Sequence, residues 1–86
     1  MRVKGIGEVL GKTIIGIIVK ENKTMFQSPG SQVFLLFSDK TYYELYTGND
    51  TISFSGGVHP GDKNTVTHYM SQEMKVVYEA FLNDQE

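Results

Sequence analysis

The stretch Asn64-Thr-Val-Thr-His-Tyr-Met-Ser-Gln-Glu-Met-Lys-Val-Val-Tyr-Glu-Ala-Phe-Leu-Asn-Asp84 contains neither proline nor glycine, and its reading decides the fold. Placed at about 100° per residue, Val66, Met70, Met74, Val77 and Phe81 fall within an arc of about 80°, the kind of stripe an amphipathic helix buries. Asn64 is a suitable N-cap, because its side chain can accept from an unpaired amide of the first turn. The spacing therefore predicts a long C-terminal amphipathic helix over about residues 64–84. Tyr69, Val76 and Ala80 flank the stripe on one side, and Tyr78 and Leu82 on the other. The whole apolar arc then approaches about 240°, whereas a stripe facing one sheet needs only about 100°. At 1.5 Å per residue such a helix spans about 30 Å, comparable to a small domain. A surplus apolar flank of that length predicts contact with something beyond the helix's own sheet.

Working back toward the N-terminus, Gly56-Gly57 and His59-Pro60-Gly61-Asp62 interrupt the pattern with turn chemistry. Before them lie four segments of strand character. Residues 12–21 are dense in β-branched side chains, which pack well on a pleated surface. Gly16 in their midst predicts a bulge or the close approach of another backbone. Residues 32–38 form a continuous apolar run of strand length, as in a central strand covered on both faces. Residues 40–47 are rich in tyrosine, and residues 51–55 alternate as a strand with one wet face does. Ser28-Pro29-Gly30-Ser31, Ser38-Asp39-Lys40 and Gly48-Asn49-Asp50 supply the turns. Short connections make consecutive strands antiparallel neighbours. The expected fold class is thus α+β: a four-stranded antiparallel meander followed by a long helix, with residues 1–11 as either a short helical turn or an irregular arm. This strand order resembles that of small, partly open SH3-like barrels, an analogy of shape that carries no function.

Eighty-six residues make one domain with a modest core. Cysteine is absent, which removes disulfides, thiolate metal sites and thiol catalysis together. With 40% hydrophobic and 21% charged residues the chain has the composition of a folded protein. The net charge of −2 argues against a dedicated nucleic-acid binder, although Arg2, Lys4, Lys12, Lys20 and Lys23 concentrate positive charge near the N-terminus. The basic start Met1-Arg-Val-Lys4 is followed by Glu8 and Lys12 before any apolar stretch forms. The six residues Ile14–Val19 fall far short of the roughly 20 needed to span a membrane. The expectation is a cytoplasmic protein with no membrane partner.

The chemistry-bearing residues form no catalytic or cofactor signature. Gly5, Gly7, Gly11, Lys12 and Thr13 invite a phosphate-loop reading, but the spacing has one residue too many and no strand precedes it. His59 and His68 stand nine apart, a separation that suits none of the usual metal-ligand patterns. No serine lies in a glycine elbow. On the third strand Tyr43 and Leu45 alternate with Tyr42, Glu44 and Tyr46. Tyr43 and Leu45 are expected to join Ile52 and Phe54 in the core, leaving Tyr42 and Tyr46 flanking Glu44 on the opposite face.

Two functions follow as expectations. The first is a non-catalytic, cofactor-free interaction module, self-associating or docking on another protein through Tyr69, Val76, Ala80, Tyr78 and Leu82 of the C-terminal segment. The second is a nucleic-acid or small-ligand binding barrel that uses Tyr42, Glu44 and Tyr46, with Lys12, Lys20 and Lys23 supplying positive charge.

Overall fold

In the computed structural model, which describes residues 5–24, 29–48 and 51–82, a single antiparallel sheet dominates. The four predicted strands are present as β1 (Ile14–Asn22), β2 (Ser31–Phe37), β3 (Thr41–Gly48) and β4 (Thr51–Phe54), each pairing with the next as a meander. A two-residue strand, β5 (His59–Pro60), pairs with the start of β3. The helix α1 (Lys63–His68) lies across one face, and β6 (Met74–Phe81) pairs antiparallel with the free edge of β1. The strand order is β4-β3-β2-β1-β6.

The long C-terminal helix is thus overturned. Its expected span contains a helix of six residues, a turn and a strand, and residues 83–84 lie outside the described part. Of the five stripe residues only Val66 is helical. Met70 adopts a left-handed conformation, φ 55°, which ends any helical continuation. Beyond it, Met74-Lys-Val-Val-Tyr-Glu-Ala-Phe81 is rich in β-branched and aromatic residues, which lose side-chain freedom in a helix and pack well on a pleat. The arc of about 240° was itself the sign: a strand with apolar residues on both faces, wrapped onto a helical wheel, fills most of the circle. The N-cap is also displaced. Asp62, not Asn64, accepts from the backbone N–H groups of Asn64 at 3.1 Å and Thr65 at 3.2 Å.

Of the N-terminal segment, Ile6–Val9 form a 3-10 turn, and residues 1–4 lie outside the described part. The Glu8 carboxylate accepts from Val58 N–H at 2.9 Å and so pins this turn to the β4–β5 connection. At Gly16 the β1–β2 register shifts as a bulge does, and the ring of Phe81 lies so close that an added Cβ would sit 2.4 Å from it. Glycine is needed here for the approach of a side chain.

The alternation of the strands divides the sheet into two faces. Ile18, Phe34, Leu36 and Tyr42 form the core under Val66 of α1, with Val76 and Phe81 packed at its margin. This covered face carries Tyr42, Glu44 and Tyr46, which were expected on the side away from the core; Tyr43 is buried as expected, whereas Ile52 is 62% exposed. On the other face, register aligns Phe54, Leu45, Val33, Val19 and Tyr78 in one row across five strands. Tyr43, Leu35, Ile17 and Ala80 form the adjacent row. The face is closed at one end, where Tyr43 donates to the Ser55 carbonyl at 3.2 Å and Lys12 Nζ lies 5.6 Å from the Phe37 ring centroid, and it opens toward β4 and β6. Tyr43 is buried, but Val19, Val33, Leu35, Leu45 and Phe54 are only half-buried, and Tyr78 is 57% exposed. The Cα extents of 35 × 34 × 16 Å describe the resulting two-layer slab. No described helix is long and apolar enough to cross a membrane.

Candidate functional site

The row beneath the post-helix segment is polar where a core is usually apolar. Ser53, Tyr46, Gln32, Lys20 and Val76 align across the covered face. Lys20 is fully buried and Gln32 nearly so. A buried ammonium needs donors satisfied and charge compensated. Lys20 Nζ donates to the carbonyl oxygens of Thr67 at 3.2 Å and Tyr69 at 2.5 Å, at the C-terminal end of α1, and lies 5.6 Å from the Phe34 ring centroid. Burial pushes the Lys20 ammonium below its usual range, and the charge of Glu44 opposes that shift.

Glu44 sits two residues from Tyr42 and Tyr46 and is half-buried. One of its oxygens accepts from Gln32 Nε2 at 2.7 Å. Burial raises the carboxyl above its usual range, while the Gln32 hydrogen bond and the charges of His59 and Lys20 pull the other way. Gln32 Nε2 also approaches Met70 Sδ at 3.7 Å. The Gln32 amide is oriented by these contacts, because turning it over would set oxygen against carboxylate. Its Oε1 is consequently buried with no hydrogen-bond partner among the described residues.

These groups line a cavity of about 270 Å³ together with Pro29, Tyr46, Ser55 and Tyr69. Tyr42 does not join them. It is buried against Phe34, with ring centroids 5.9 Å apart, and against His59 at 5.5 Å. Tyr42 and Tyr46 are therefore not a pair of exposed rings.

A larger cavity of about 510 Å³ opens at the other end of α1, over Leu36, Phe37 and Phe81. Of its charged rim, Asp62, Lys63 and Glu79 are internally engaged and Lys40 is exposed. Asp62 caps α1, and its backbone hydrogen bonds from Thr65 hold the carboxyl below the usual range. Lys63 pairs with Glu79 at 3.5 Å and lies 4.7 Å from the Phe81 ring centroid. Unmet hydrogen-bonding capacity is found at the smaller cavity.

The residues expected to form a contact surface are divided by the strand. Tyr78 and Ala80 lie on the open face, Val76 packs against the core on the covered face, and Tyr69 sits edge-on to Phe34 at 6.2 Å. Leu82 is exposed just beyond β6. The three lysines expected to supply a cationic groove do not converge. Lys12 is paired with Asp39, Lys20 is enclosed, and Lys23 donates to the Ser71 carbonyl at 2.7 Å. His68 Nδ1 contacts the Asn64 carbonyl at 2.9 Å on the exposed side of α1, while the His59 ring lies against Tyr42 at a tilt of 39°. Among the described residues no group of three or more His, Cys, Asp or Glu could hold a metal ion.

Gln32, Ser55 and Met70 are site residues that sequence reasoning missed, and Lys20, expected to lend positive charge to a ligand, is instead enclosed beside Gln32. Strand parity placed Gln32 with Phe34 and Leu36, and Lys20 with Ile18, so their inward orientation was legible once the covered face was known. Met70 carried no local signal, since it reaches Gln32 only through the turn after α1.

Comparison of the chain with family models, curated proteins and solved structures finds no match.

Proposed function

We propose that this chain is a non-catalytic interaction module that self-associates through the sheet face opposite α1. The observation that supports the reading is the uncharged row Phe54–Leu45–Val33–Val19–Tyr78, backed by Leu35, Ile17 and Ala80, in which four of the strands present only half-buried apolar side chains and Tyr78 is 57% exposed. An amphipathic sheet buries its apolar face against another layer. The next row, Ile52, Thr47, Ser31, Glu21 and Lys75, is mostly polar and serves as a rim. Five strands at about 4.8 Å and three rows at about 6.8 Å make a face of roughly 500 Å². Two such faces together reach about 1,000 Å², the area at which a specific interface becomes sustainable.

A second copy suits this face better than a charged partner does. An isologous contact must be self-complementary; the two apolar rows carry no charge to match, and the opposite charges Glu21 and Lys75 fall in the rim. Sheet stacking of this kind sets the layers about 10 Å apart.

Native mass spectrometry and light scattering over a concentration series test the proposal. A dimer is expected, with Tyr78→Glu and Val33→Glu each weakening it by at least about tenfold, because each places an unpaired charge within the apolar contact. Lys63→Glu, on the opposite face, should leave it unchanged. A wild-type chain that stays monomeric to several hundred micromolar, or a dimer indifferent to both face substitutions, overturns the reading.

A further inference from the structure

We infer that the cavity between Glu44, Gln32, Tyr46 and Tyr69 is a binding site for a primary alkylammonium ion. The inference is independent of self-association, since the cavity lies on the covered face of the sheet.

The chemistry of the wall selects the charge. A half-buried carboxylate favours a cation that replaces the water it has lost. The buried ammonium of Lys20 is turned to the carbonyl oxygens of Thr67 and Tyr69, and no hydrogen bond joins it to Glu44. The other polar group of the wall, Gln32 Oε1, is an acceptor, and it too lacks a donor among the described residues. Tyr46 and Tyr69 add aromatic rings and Met70 a polarisable thioether. Aromatic faces attract cations, and a thioether is soft enough to pack against an alkyl chain. An anion would meet Glu44 and no free positive charge, and a purely apolar ligand would leave the carboxylate desolvated and unpaired.

The geometry also selects the shape of the cation. A guanidinium engages carboxylates best through two parallel hydrogen bonds. Here one Glu44 oxygen already accepts from Gln32 Nε2 at 2.7 Å, so a fork would have to share that oxygen with the amide, which makes the two-point fit a poorer one. A compact ammonium needs a single acceptor and directs its remaining protons elsewhere. The volume of about 270 Å³ lies just below the range of drug-sized ligand sites and fits a short aliphatic amine or the end of a lysine side chain.

The test is a titration of the full chain with n-butylammonium chloride, followed by amide and side-chain NMR shifts. Saturable shifts in the millimolar range are expected at Gln32, Glu44, Tyr46 and Tyr69. Guanidinium chloride at the same low concentrations should bind at least about fivefold more weakly, and sodium butyrate should produce no saturable shift. Glu44→Gln preserves the size of the side chain and should weaken butylammonium binding at least about tenfold, with circular dichroism reporting the fold. Titration with acetyl-lysine-amide distinguishes the sources: tighter binding than butylammonium assigns the site to a lysine of a polypeptide, and equal or weaker binding assigns it to a free amine. Absence of saturable shifts at these four residues, or a Glu44→Gln variant that is folded and binds butylammonium as the wild type does, overturns the inference.

Discussion

The ammonium of Lys20, at the centre of the sheet, donates to the carbonyl oxygen of Tyr69 at 2.5 Å across 49 residues of sequence. That contact ties β1 to the segment just past α1. A six-residue helix is too short to be stable on its own. It persists here because Asp62 satisfies its first amides, Val66 is buried, and Lys20 satisfies carbonyls at its other end. Lys20→Met keeps the aliphatic stem but leaves the Thr67 and Tyr69 carbonyls without their donor. Urea denaturation should show a loss of about 1–3 kcal/mol, the usual consequence of orphaning buried acceptors. An unchanged midpoint would mean that water replaces the ammonium.

Gly16 and Phe81 form a second long-range pair. A Cβ at position 16 would lie 2.4 Å from two carbons of the Phe81 ring, so Gly16→Ala must displace that ring. Overpacking of this kind typically costs about 1–3 kcal/mol. The expected signature is coupling: in a Phe81→Leu background the alanine should do much less harm, giving an interaction energy of about 1 kcal/mol or more in a double-mutant cycle.

Lys40, in the β2–β3 turn, has φ 64°, and its side chain is exposed. A left-handed conformation costs an ordinary L-residue about 1–2 kcal/mol, and glycine is free of that strain. Lys40→Gly should therefore raise the denaturation midpoint, with a gain of up to about 1 kcal/mol after the entropy of glycine in the unfolded chain is subtracted.

Two carboxylates should give opposite pH responses. Asp62 is held below its usual range by backbone hydrogen bonds, first from Thr65. Its stabilisation is present above the unfolded-state value and is lost as pH falls through the folded one. Asp62→Asn, which keeps a capping side chain, should remove that acid-side loss. Glu44 is raised by burial, so its ionised form weakens the fold at neutral pH. That penalty is relieved as pH falls through the folded value toward the unfolded one, about 4.3. Thermal midpoints measured from pH 8 to 3 should show Glu44→Gln above wild type at neutral pH and converging with it in acid.

Much of the sheet was legible in the chain. Ile14–Val19, Val33–Phe37, Tyr42–Tyr46 and Thr51–Phe54 carry β-branched and aromatic residues between turn signals, and each became a strand within a residue or two of its expected bounds. Gly16 announced its bulge. Local sterics suffice for such features, because side-chain branching and glycine's freedom act on the residue that carries them.

The fate of residues 64–82 was decided elsewhere. Their local pattern suits a helix well, yet the free edge of β1 offers a full ladder of hydrogen bonds to Met74–Phe81, and only the assembled sheet presents that edge. The same assembly determined which face α1 covers. It thereby turned Lys20 and Gln32 inward, left the Val33 row open, and set Met70 beside Gln32. Strand alternation says that two faces exist. Which one is buried depends on where a distant segment crosses the sheet, and that crossing is a property of the tertiary fold.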